Sequence, residues 1–304
     1  TIDLGFAWMK LPSGQEIGIV DVPGHERFVK NMLAGVGGID MALLVIAANE
    51  GVMPQTTEHL AILDLIGISL GIIVVTKKDL VDEEWLGLIT DDIARLVKPT
   101  LLSNAPIIPV SVITGEGIPE IVGAIDGMLA NAQPKKDIGR PRLPIDRIFT
   151  IAGAGTVVTG TLIDGSISTG DEVEIVPTGV KSRLRGLQTH KARVDKAGPG
   201  SRVAANLVGV STEEIHRGDV LTRPGWLEPT SLINVQLRLL PYLHRPILHN
   251  LTVSFHTGAA ESLANVRLLE SDKLQPGDTT RGQIVLKQPV AVVQGDRYII
   301  RSPL

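Results

Sequence analysis

The first 130 residues alternate between short, mostly β-branched apolar runs and longer stretches of helical composition, and this alternation constrains the fold more than any other feature. Strands separated by helices favour βαβ crossovers, and therefore a parallel sheet covered on both faces. The predicted strands are residues 15–22, 42–47, 71–76 and 106–110. The predicted helices are residues 26–35, 55–67, 81–97 and 117–132. We expect a doubly wound α/β domain.

The second half of the chain has a different texture, with short strand-like runs broken by Gly-Asp, Pro-Gly and Asp-Gly turns. Strands at this spacing without helices are typical of antiparallel barrels. Residues 133–144 contain three prolines and several basic residues without periodicity, which predicts a linker. A second predicted linker, at residues 224–229, divides the β-rich half of the chain into two parts. We therefore expect a multidomain chain, with the α/β domain over 1–137 and antiparallel β-barrels over 138–226 and 227–304.

Composition excludes several classes of protein. The 304 residues contain no cysteine, which rules out disulfide scaffolds, thiolate catalysis and cysteine-bound zinc. No apolar run reaches the length of about 18 residues that a membrane span needs. Residues 1–11 lack the basic and apolar regions of a signal peptide. We expect a cytoplasmic protein with no membrane partner.

The net charge of −4 is unevenly distributed along the chain. Residues 1–137 hold 9 Lys and Arg against 18 Asp and Glu, whereas residues 138–304 hold 20 against 15. A basic half beside an acidic half is compatible with an anionic partner that docks on one side. It is equally compatible with two domains that differ in their solvated surfaces, and charge alone leaves both interpretations open.

The run Asp-Val-Pro-Gly-His-Glu at residues 21–26 follows a predicted strand and opens a predicted helix. In a nucleoside triphosphatase, Asp21 at such a strand end could hold Mg²⁺, commonly through water. Gly24 would let a backbone N–H approach the γ-phosphate at a helix N-terminus. His25 could orient the attacking water. The alternative is a plain strand–turn–helix with Pro-Gly in the turn.

Two further elements follow predicted strands of the same sheet. In Thr76-Lys77-Lys78-Asp79, the aspartate could accept hydrogen bonds from the N1–H and the exocyclic amine of guanine, while the Lys77 stem lies along the base. Ser111-Val112 could present a backbone N–H to the guanine O6. Taken alone, each of these two segments could equally be an ordinary charged or polar turn at the end of a strand. Their order and shared place at carboxyl ends of strands favour a nucleotide site, because open α/β sheets bind ligands there.

These motifs, with Thr1-Ile2-Asp3, resemble the second to fifth guanine-nucleotide motifs of translational GTPases of the elongation factor Tu class. The resemblance implies a G domain followed by two β-barrels, GTP and GDP as cofactors with Mg²⁺, and ribosome-stimulated GTP hydrolysis. It implies His25 as the catalytic residue and Thr1 and Asp21 as the Mg²⁺ ligands. The remaining implied nucleotide-binding residues are Gly24, Thr76, Lys77, Asp79, Ser111 and Val112.

Within this class, residues 1–5, 30–40 and 144–149, and Thr76 in place of the usual asparagine, resemble the selenocysteine-specific elongation factor family. The resemblance implies delivery of selenocysteinyl-tRNA to the ribosome. It also implies an mRNA hairpin as a partner, bound through a C-terminal region that the 304 residues do not include. The implied aminoacyl pocket comprises Phe6, Asp146, Arg147 and Arg202. Asp146-Arg147 as a linker ion pair and Arg202 as a surface residue remain the structural alternative.

The sequence also departs from the family pattern. It has no phosphate-binding P-loop, G-x-x-x-x-G-K-[ST], and in the nearest match, residues 155–161, Thr161 replaces the lysine. We expect that match to form a hairpin turn. We further expect a G domain truncated before the Thr1 switch position, a sheet that lacks one central strand, and a fragment that is inactive alone. Another carrier of this class, elongation factor Tu or initiation factor 2 gamma, remains an alternative, as does a non-catalytic tRNA- or ribosome-interacting fragment.

Overall fold

The computed structural model describes residues 4–24, 38–130, 135–153 and 155–302, which divide into two compact units. Residues 4–24 and 39–130 form the first unit, and residues 135–302 with Gly38 form the second. No helix among the described residues is both long enough and apolar enough to cross a membrane.

The described residues of the first unit contain a three-stranded parallel sheet and three α-helices. The strands are β3 (Ala42–Ala47), β4 (Gly71–Thr76) and β5 (Ile107–Pro109), which lie in the order β3-β4-β5. The helices are α1 (Pro54–Ile66), α2 (Glu83–Val97) and α3 (Ile118–Ala130). Ile73 and Val75 of β4 pack with α1 and α2, whereas Ile72 and Val74 pack with α3. The sheet is therefore covered on both faces, and the predicted doubly wound domain is confirmed.

The predicted strand at 15–22 has a different partner from the one expected. It forms β2 (Glu16–Asp21), which pairs antiparallel with β1 (Gly5–Lys10) in a separate two-stranded sheet of the described residues. Gly14, with φ 89°, closes the turn by donating its N–H to the carbonyl of Leu11 at 2.8 Å. Glu16 and Gly18 are exposed, so β2 has the half-covered pattern of a hairpin strand.

The second unit begins with an antiparallel barrel, as predicted. Its strands are β6 (Arg142–Pro144), β7 (Arg147–Ile151), β8 (Gly155–Thr161), β9 (Ile167–Ser168), β10 (Glu172–Val176), β11 (Val180–Thr189), β12 (Ala192–Val194), β13 (Lys196–Ala197), β14 (Arg202–Leu207) and β15 (Val220–Thr222). The main sheet runs β6-β15-β10-β11-β14-β8-β7. It curls until Arg142 pairs with Ile163, just beyond β8. The hairpin turn expected over 155–161 is wrong, because these residues form β8 itself.

A second antiparallel barrel completes the unit. Its strands are β16 (Thr230–Arg238), β17 (Ile247–Leu248), β18 (Leu251–Thr257), β19 (Ala260–Leu268), β20 (Lys273–Leu274), β21 (Thr279–Val290) and β22 (Ile299–Arg301). The main sheet runs β16-β21-β19-β18-β22, and β17 pairs with β20. Phe255, Val266 and Ile284 lie in its core. This confirms the prediction of two barrels after the α/β domain.

The predicted linker at 133–144 is attached to the first barrel over its described part. The Asp137 carboxylate accepts hydrogen bonds from the Gly139 N–H at 2.8 Å and the Ser166 hydroxyl at 2.5 Å. The N–H of Ile138 donates to the Asp164 carbonyl at 2.9 Å. Residues 142–144 are already strand β6. The absence of periodicity therefore did not indicate a free segment, because polar contacts replace apolar ones here.

A buried guanidinium joins the two barrels. The Arg142 side chain is 7% exposed; its Nε donates to Asp164 at 2.7 Å, and its terminal nitrogens donate to both carboxylate oxygens of Asp296, at 2.6 and 2.8 Å. Gly218, with φ 99°, lies at the same junction, where a Cβ would be 2.7 Å from the Ala260 Cα. The close approach therefore requires glycine at position 218.

Replacing Arg142 tests the strength of this junction. We expect Arg142→Met to lower the free energy of unfolding by about 3 kcal/mol, because two carboxylates lose a buried cationic partner. Urea unfolding followed by circular dichroism measures the loss. The matched control is Arg95→Met, which removes an exposed ion pair with Asp92 and should cost less than about 1 kcal/mol. If both variants lose the same free energy of unfolding, Arg142 does not hold the two barrels together.

Candidate functional site

The predicted base-reading segments lie at one edge of the parallel sheet. Thr76 ends β4, and Ser111 follows the neighbouring strand β5 by two residues. The N–H of Lys78 donates to the carbonyl of Val110 at 3.1 Å and joins the two loops directly. The structure thus brings together the segments 76–79 and 111–112, as the sequence predicted.

Two lysines in the first of these loops are held by glutamates from other loops. Lys77, with φ 58°, directs its Nζ to Glu50 at 2.9 Å. Lys78 forms an ion pair with Glu116. The Lys77 and Glu50 side chains are 46% and 54% exposed, so this pair contributes little stability. The pair directs the Lys77 stem toward Glu50. The sequence predicts that this stem lies along the base.

Asp79 has an available carboxylate at this edge. It is exposed within the short 3-10 helix Lys78–Leu80, and no hydrogen bond or ion pair reaches its side chain from the residues the structure describes. An ionised carboxylate offers only acceptors, which suits the two adjacent N–H donors of guanine. The position therefore fits the role predicted from the sequence.

Ser111 shapes the second loop. It is 1% exposed, and its hydroxyl oxygen accepts from the N–H groups of Ile113 and Thr114, each at 3.2 Å. Gly117 has φ 80°, and a Cβ there would lie 2.3 Å from the Pro109 carbonyl oxygen, so only glycine lets the chain return this close to β5. Val112 is 78% exposed at the tip of this loop.

The phosphate side of the predicted site is described only in part, because Thr1 and His25 lie outside the described residues. Asp21 ends β2 directly opposite Gly5, and a Cβ on Gly5 would be 3.2 Å from the Asp21 Oδ2. Gly24 is exposed, and a Cβ there would lie 3.9 Å from the Cε1 of His59. Burial lowers the pKa of His59 and therefore favours the neutral ring, although the nearby negative charge of Glu58 acts to raise this pKa.

The described residues hold no group of three or more His, Asp or Glu side chains able to bind a metal.

The second predicted site contains a buried ion pair in the first barrel. Asp146 lies between β6 and β7 and is 6% exposed. Arg202, at the start of β14, donates to both its carboxylate oxygens, at 2.5 and 2.8 Å. The Thr159 hydroxyl of β8 donates to the same carboxylate at 2.8 Å. The bidentate geometry fixes the plane of the Arg202 guanidinium, whose side chain is 21% exposed.

Arg147 and Phe6, the other two predicted pocket residues, lie in different units of the structure. Arg147 starts β7 and lies opposite Thr159, so it neighbours the Asp146–Arg202 pair. Phe6 is a half-buried residue of β1 in the first unit, and the two units are described separately. The structure thus brings together Asp146, Arg147 and Arg202. The pairing expected between Asp146 and an arginine is made by Arg202.

Sequence reasoning missed four residues that support these sites. Glu50 and Glu116 hold the two lysines, Gly5 makes room for Asp21, and Thr159 completes the bonding of Asp146. Glu50 and Glu116 belong to loops without a distinguishing pattern, so no local signal could have found them. Gly5 lies within the family-like run at 1–5, which was a usable signal.

Models of three protein families match successive parts of the chain. Residues 1–131 match the elongation factor Tu GTP binding domain, and residues 155–222 match elongation factor Tu domain 2. Residues 233–303 match the β-barrel domain of the selenocysteine-specific elongation factor. The matches define a translation factor with a GTP-binding domain followed by two β-barrel domains, in agreement with the fold.

Individual relatives identify the family more closely. The selenocysteine-specific elongation factors of Desulfomicrobium baculatum and Escherichia coli are 46% and 36% identical over 99% of this chain. The crystal structure of translation elongation factor SelB from Methanococcus maripaludis in complex with the GTP analogue GppNHp has a TM-score of 0.84 and 30% identity, covering 99% of this chain and 70% of that one. The chain belongs to the selenocysteine-specific elongation factor (SelB) family.

The solved structure of a bacterial selenocysteine-specific elongation factor is also similar to this chain. The crystal structure of bacterial selenocysteine-specific elongation factor EF-Sec has a TM-score of 0.88 and 31% identity, covering 99% of this chain and 50% of that one. The chain spans about half the length of the curated relatives it matches, 48% of the Desulfomicrobium baculatum protein and 47% of the Escherichia coli protein.

Removing Arg202 tests the ion pair. We expect Arg202→Ala to lower the free energy of unfolding by about 2–3 kcal/mol, because the buried Asp146 carboxylate loses its cation. The matched control Arg193→Ala, on exposed β12, should cost less than about 0.5 kcal/mol. Adding Asp146→Asn to the first variant should recover part of the loss. A double variant less stable than Arg202→Ala alone would show that the pair has been misassigned.

Proposed function

We propose that this chain serves the GTP-dependent delivery of selenocysteinyl-tRNA to the ribosome. The observation that carries the proposal is the guanidinium of Arg202, held in place by the buried Asp146 next to Arg147. A fixed cation beside a second one suits an anionic aminoacyl group. Family membership supports the same function, since the relatives are named for it.

Guanine would be read at the edge formed by the loops after β4 and β5. Asp79 supplies two acceptors to the base, Lys77 lies along it, and the backbone after Ser111 donates to O6. Thr76 stands behind them, with its hydroxyl 3.4 Å from the Ile46 carbonyl oxygen. The GppNHp complex of the Methanococcus maripaludis relative supports a guanine nucleotide in this domain.

The phosphates and Mg²⁺ would lie toward the end of β2. Asp21 and Thr1 are the proposed Mg²⁺ ligands, Gly24 the contact to the γ-phosphate, and His25 the residue that orients the attacking water. Bound Mg²⁺ would neutralise charge that develops on the phosphate oxygens. The 304 residues contain no P-loop pattern, and we propose that alone they hydrolyse GTP negligibly, because the γ-phosphate lacks its positioning donors.

The aminoacyl pocket would separate selenocysteine from its seryl precursor by charge. A selenol is far more acidic than a hydroxyl, so selenocysteine is largely anionic at neutral pH. An anion gains a charge-assisted hydrogen bond from arginine that a neutral hydroxyl does not. Each such bond is worth about 1.5–3 kcal/mol. Arg147 and Arg202 are the proposed donors, and Asp146 orients Arg202.

The remaining proposed partners follow from the family. The tRNA backbone would lie across the basic barrels, and the ribosome would stimulate hydrolysis in the cytoplasm. We assign recognition of an mRNA hairpin to no described residue. A tRNA- or ribosome-interacting module that does not catalyse hydrolysis is the alternative from another class. Membership of the SelB family disfavours elongation factor Tu and initiation factor 2 gamma.

Exchanging one acceptor for a donor tests the guanine site. We expect Asp79→Asn to weaken binding of GDP and to strengthen binding of xanthosine diphosphate, because xanthine carries a carbonyl where guanine carries the amine. The ratio of the two dissociation constants should shift by about a hundredfold, equivalent to two hydrogen bonds of about 1.4 kcal/mol each. Titration with fluorescent nucleotides at high protein concentration measures this ratio.

The ratio of the dissociation constants for GDP and xanthosine diphosphate can be compared between variants even where the chain binds both nucleotides weakly. The matched control is Asp91→Asn, which makes the same change on the exposed side of α2 and should leave the ratio unaltered. If Asp79→Asn also leaves the ratio unaltered, Asp79 does not read the base. Tight GDP binding by the unmodified chain would contradict the proposed need for a P-loop.

Comparing two aminoacyl groups tests the pocket. We expect Arg147→Gln to remove most of the preference for selenocysteinyl-tRNA over seryl-tRNA, a change of about ten- to a hundredfold for one charge-assisted bond. Protection of the aminoacyl ester from hydrolysis reports binding of each tRNA to the chain. Arg193→Gln, which removes an exposed arginine from the same barrel, is the matched control and should preserve the preference. Equal weakening of both tRNAs by Arg147→Gln would assign this arginine to the tRNA backbone instead.

A further inference from the structure

Thr76 ends β4 at the edge where guanine is proposed to bind, but its side chain is engaged within the sheet. Its hydroxyl donates to the carbonyl of Ile46 in the neighbouring strand β3, with 3.4 Å between the two oxygens. In the register of the sheet Ala47 lies beside Thr76, so the hydroxyl reaches back by one residue along β3. The hydroxyl therefore ties two strand ends together.

The other side-chain donors of the proposed base-reading residues are also engaged within the protein. The Lys77 Nζ lies 2.9 Å from a carboxylate oxygen of Glu50. Ser111 is 1% exposed, and its hydroxyl oxygen accepts from two N–H groups of its own loop. A ligand at this edge would meet these three side chains with their polar ends already turned to protein partners.

Asp79 presents the opposite chemistry. Its carboxylate is exposed and has no hydrogen-bond or ion-pair partner among the residues that the structure describes. The neighbouring Lys78 is paired with Glu116 of the other loop. An ionised carboxylate only accepts hydrogen bonds. The side chains at this edge therefore offer free acceptors to the donors of a base, whereas donors to its acceptors are left to the backbone.

The atoms of guanine differ in how much they say about its identity. Guanine carries the acceptors O6 and N7 and a donor amine, and adenine carries N7 as well. A contact to N7 therefore adds affinity without separating the two purines. The N1–H and the exocyclic amine of guanine, by contrast, form a pair of donors that adenine lacks. A site with a free carboxylate can select guanine without any contact to N7.

The geometry points to a guanine site that reads the N1–H and the amine of the base through Asp79 and leaves N7 unread. The Thr76 hydroxyl is bonded directly to Cβ, whereas the amide of asparagine, the usual residue at this position, lies one bond further out and donates. Thr76 thus makes the site tolerant of 7-deazaguanine nucleotides. This inference rests on the proposed guanine site, but a nucleotide modified at N7 can contradict the first without contradicting the second.

Competition between nucleotides tests the inference on the whole 304-residue chain. Fluorescent GDP is displaced, at high protein concentration, by GDP, by 7-deazaguanosine diphosphate or by inosine diphosphate. The first analogue has a C–H in place of N7, and the second lacks the amine. We expect 7-deazaguanosine diphosphate to bind within about twofold of GDP. Inosine diphosphate should bind about tenfold more weakly, because a hydrogen bond to a charged acceptor is lost.

Three variants separate the hydroxyl of Thr76 from its place in the sheet. Thr76→Val keeps the shape and should change both dissociation constants by the same factor, so that the ratio of 7-deazaguanosine diphosphate to GDP stays near that of the wild type. The matched control is Thr90→Val, which removes a hydroxyl that donates to the Leu86 carbonyl at 2.8 Å within α2. Thr76→Asn should create a preference of about fivefold for GDP over the 7-deaza analogue, because a neutral donor now reaches N7. Far-ultraviolet circular dichroism checks that every variant is folded.

The possible outcomes distinguish this inference from the guanine site itself. Wild-type binding of 7-deazaguanosine diphosphate at least about fivefold weaker than that of GDP overturns the inference. If Thr76→Val then removes this preference, the hydroxyl reads N7. Absence of any preference in Thr76→Asn shows that position 76 does not face N7, and it overturns the role given to Thr76. Equal binding of GDP and inosine diphosphate, or no binding of fluorescent GDP, contradicts the proposed guanine site and this inference with it.

Discussion

The parallel pairing of β4 with β3 and β5 is the constraint on which the nucleotide site depends. In this register Ala47 of β3 lies beside Thr76, and the N–H of Ala48 donates to the Thr76 carbonyl at 2.8 Å. The chain leaves all three strands at the same edge, so loops that are distant in sequence meet there. The pairs of Lys77 with Glu50 and Lys78 with Glu116 are consequences of this register. They could not form in a sheet of another order.

The barrels use buried guanidinium groups for two different purposes. Arg142 has both of its partners in the barrel unit and joins its two halves, so its value is structural. Arg202 also binds a carboxylate bidentately, but its side chain is 21% exposed compared with 7% for Arg142. A bound guanidinium that keeps 21% of its side-chain surface exposed can still be reached from solvent. The exposed fraction of the side chain therefore distinguishes Arg142, which holds the barrels together, from Arg202, which is a candidate for ligand recognition.

Sequence patterns predicted the elements well because these patterns are local. The apolar runs that became β3 and β4 were placed correctly, since a strand covered on both faces must be apolar throughout. Partners were harder to predict. Nothing within 15–22 indicates pairing with residues 5–10, and Arg142 meets Asp296 across 154 positions. Phosphate-side residues such as His25 stay predictions from motif and family.

The Asp146–Arg202 pair has a consequence for how selectivity could arise. A carboxylate bound to both terminal nitrogens reduces the net charge of the proposed pocket, which weakens its attraction for any anion. The same contact holds the guanidinium plane before a ligand arrives, so less side-chain entropy is lost on binding. Excess charge would attract every tRNA backbone alike, whereas a fixed donor rewards only an anion at the right place. Selectivity between two aminoacyl groups of similar size is therefore better served by a partly neutralised, oriented arginine than by a free one.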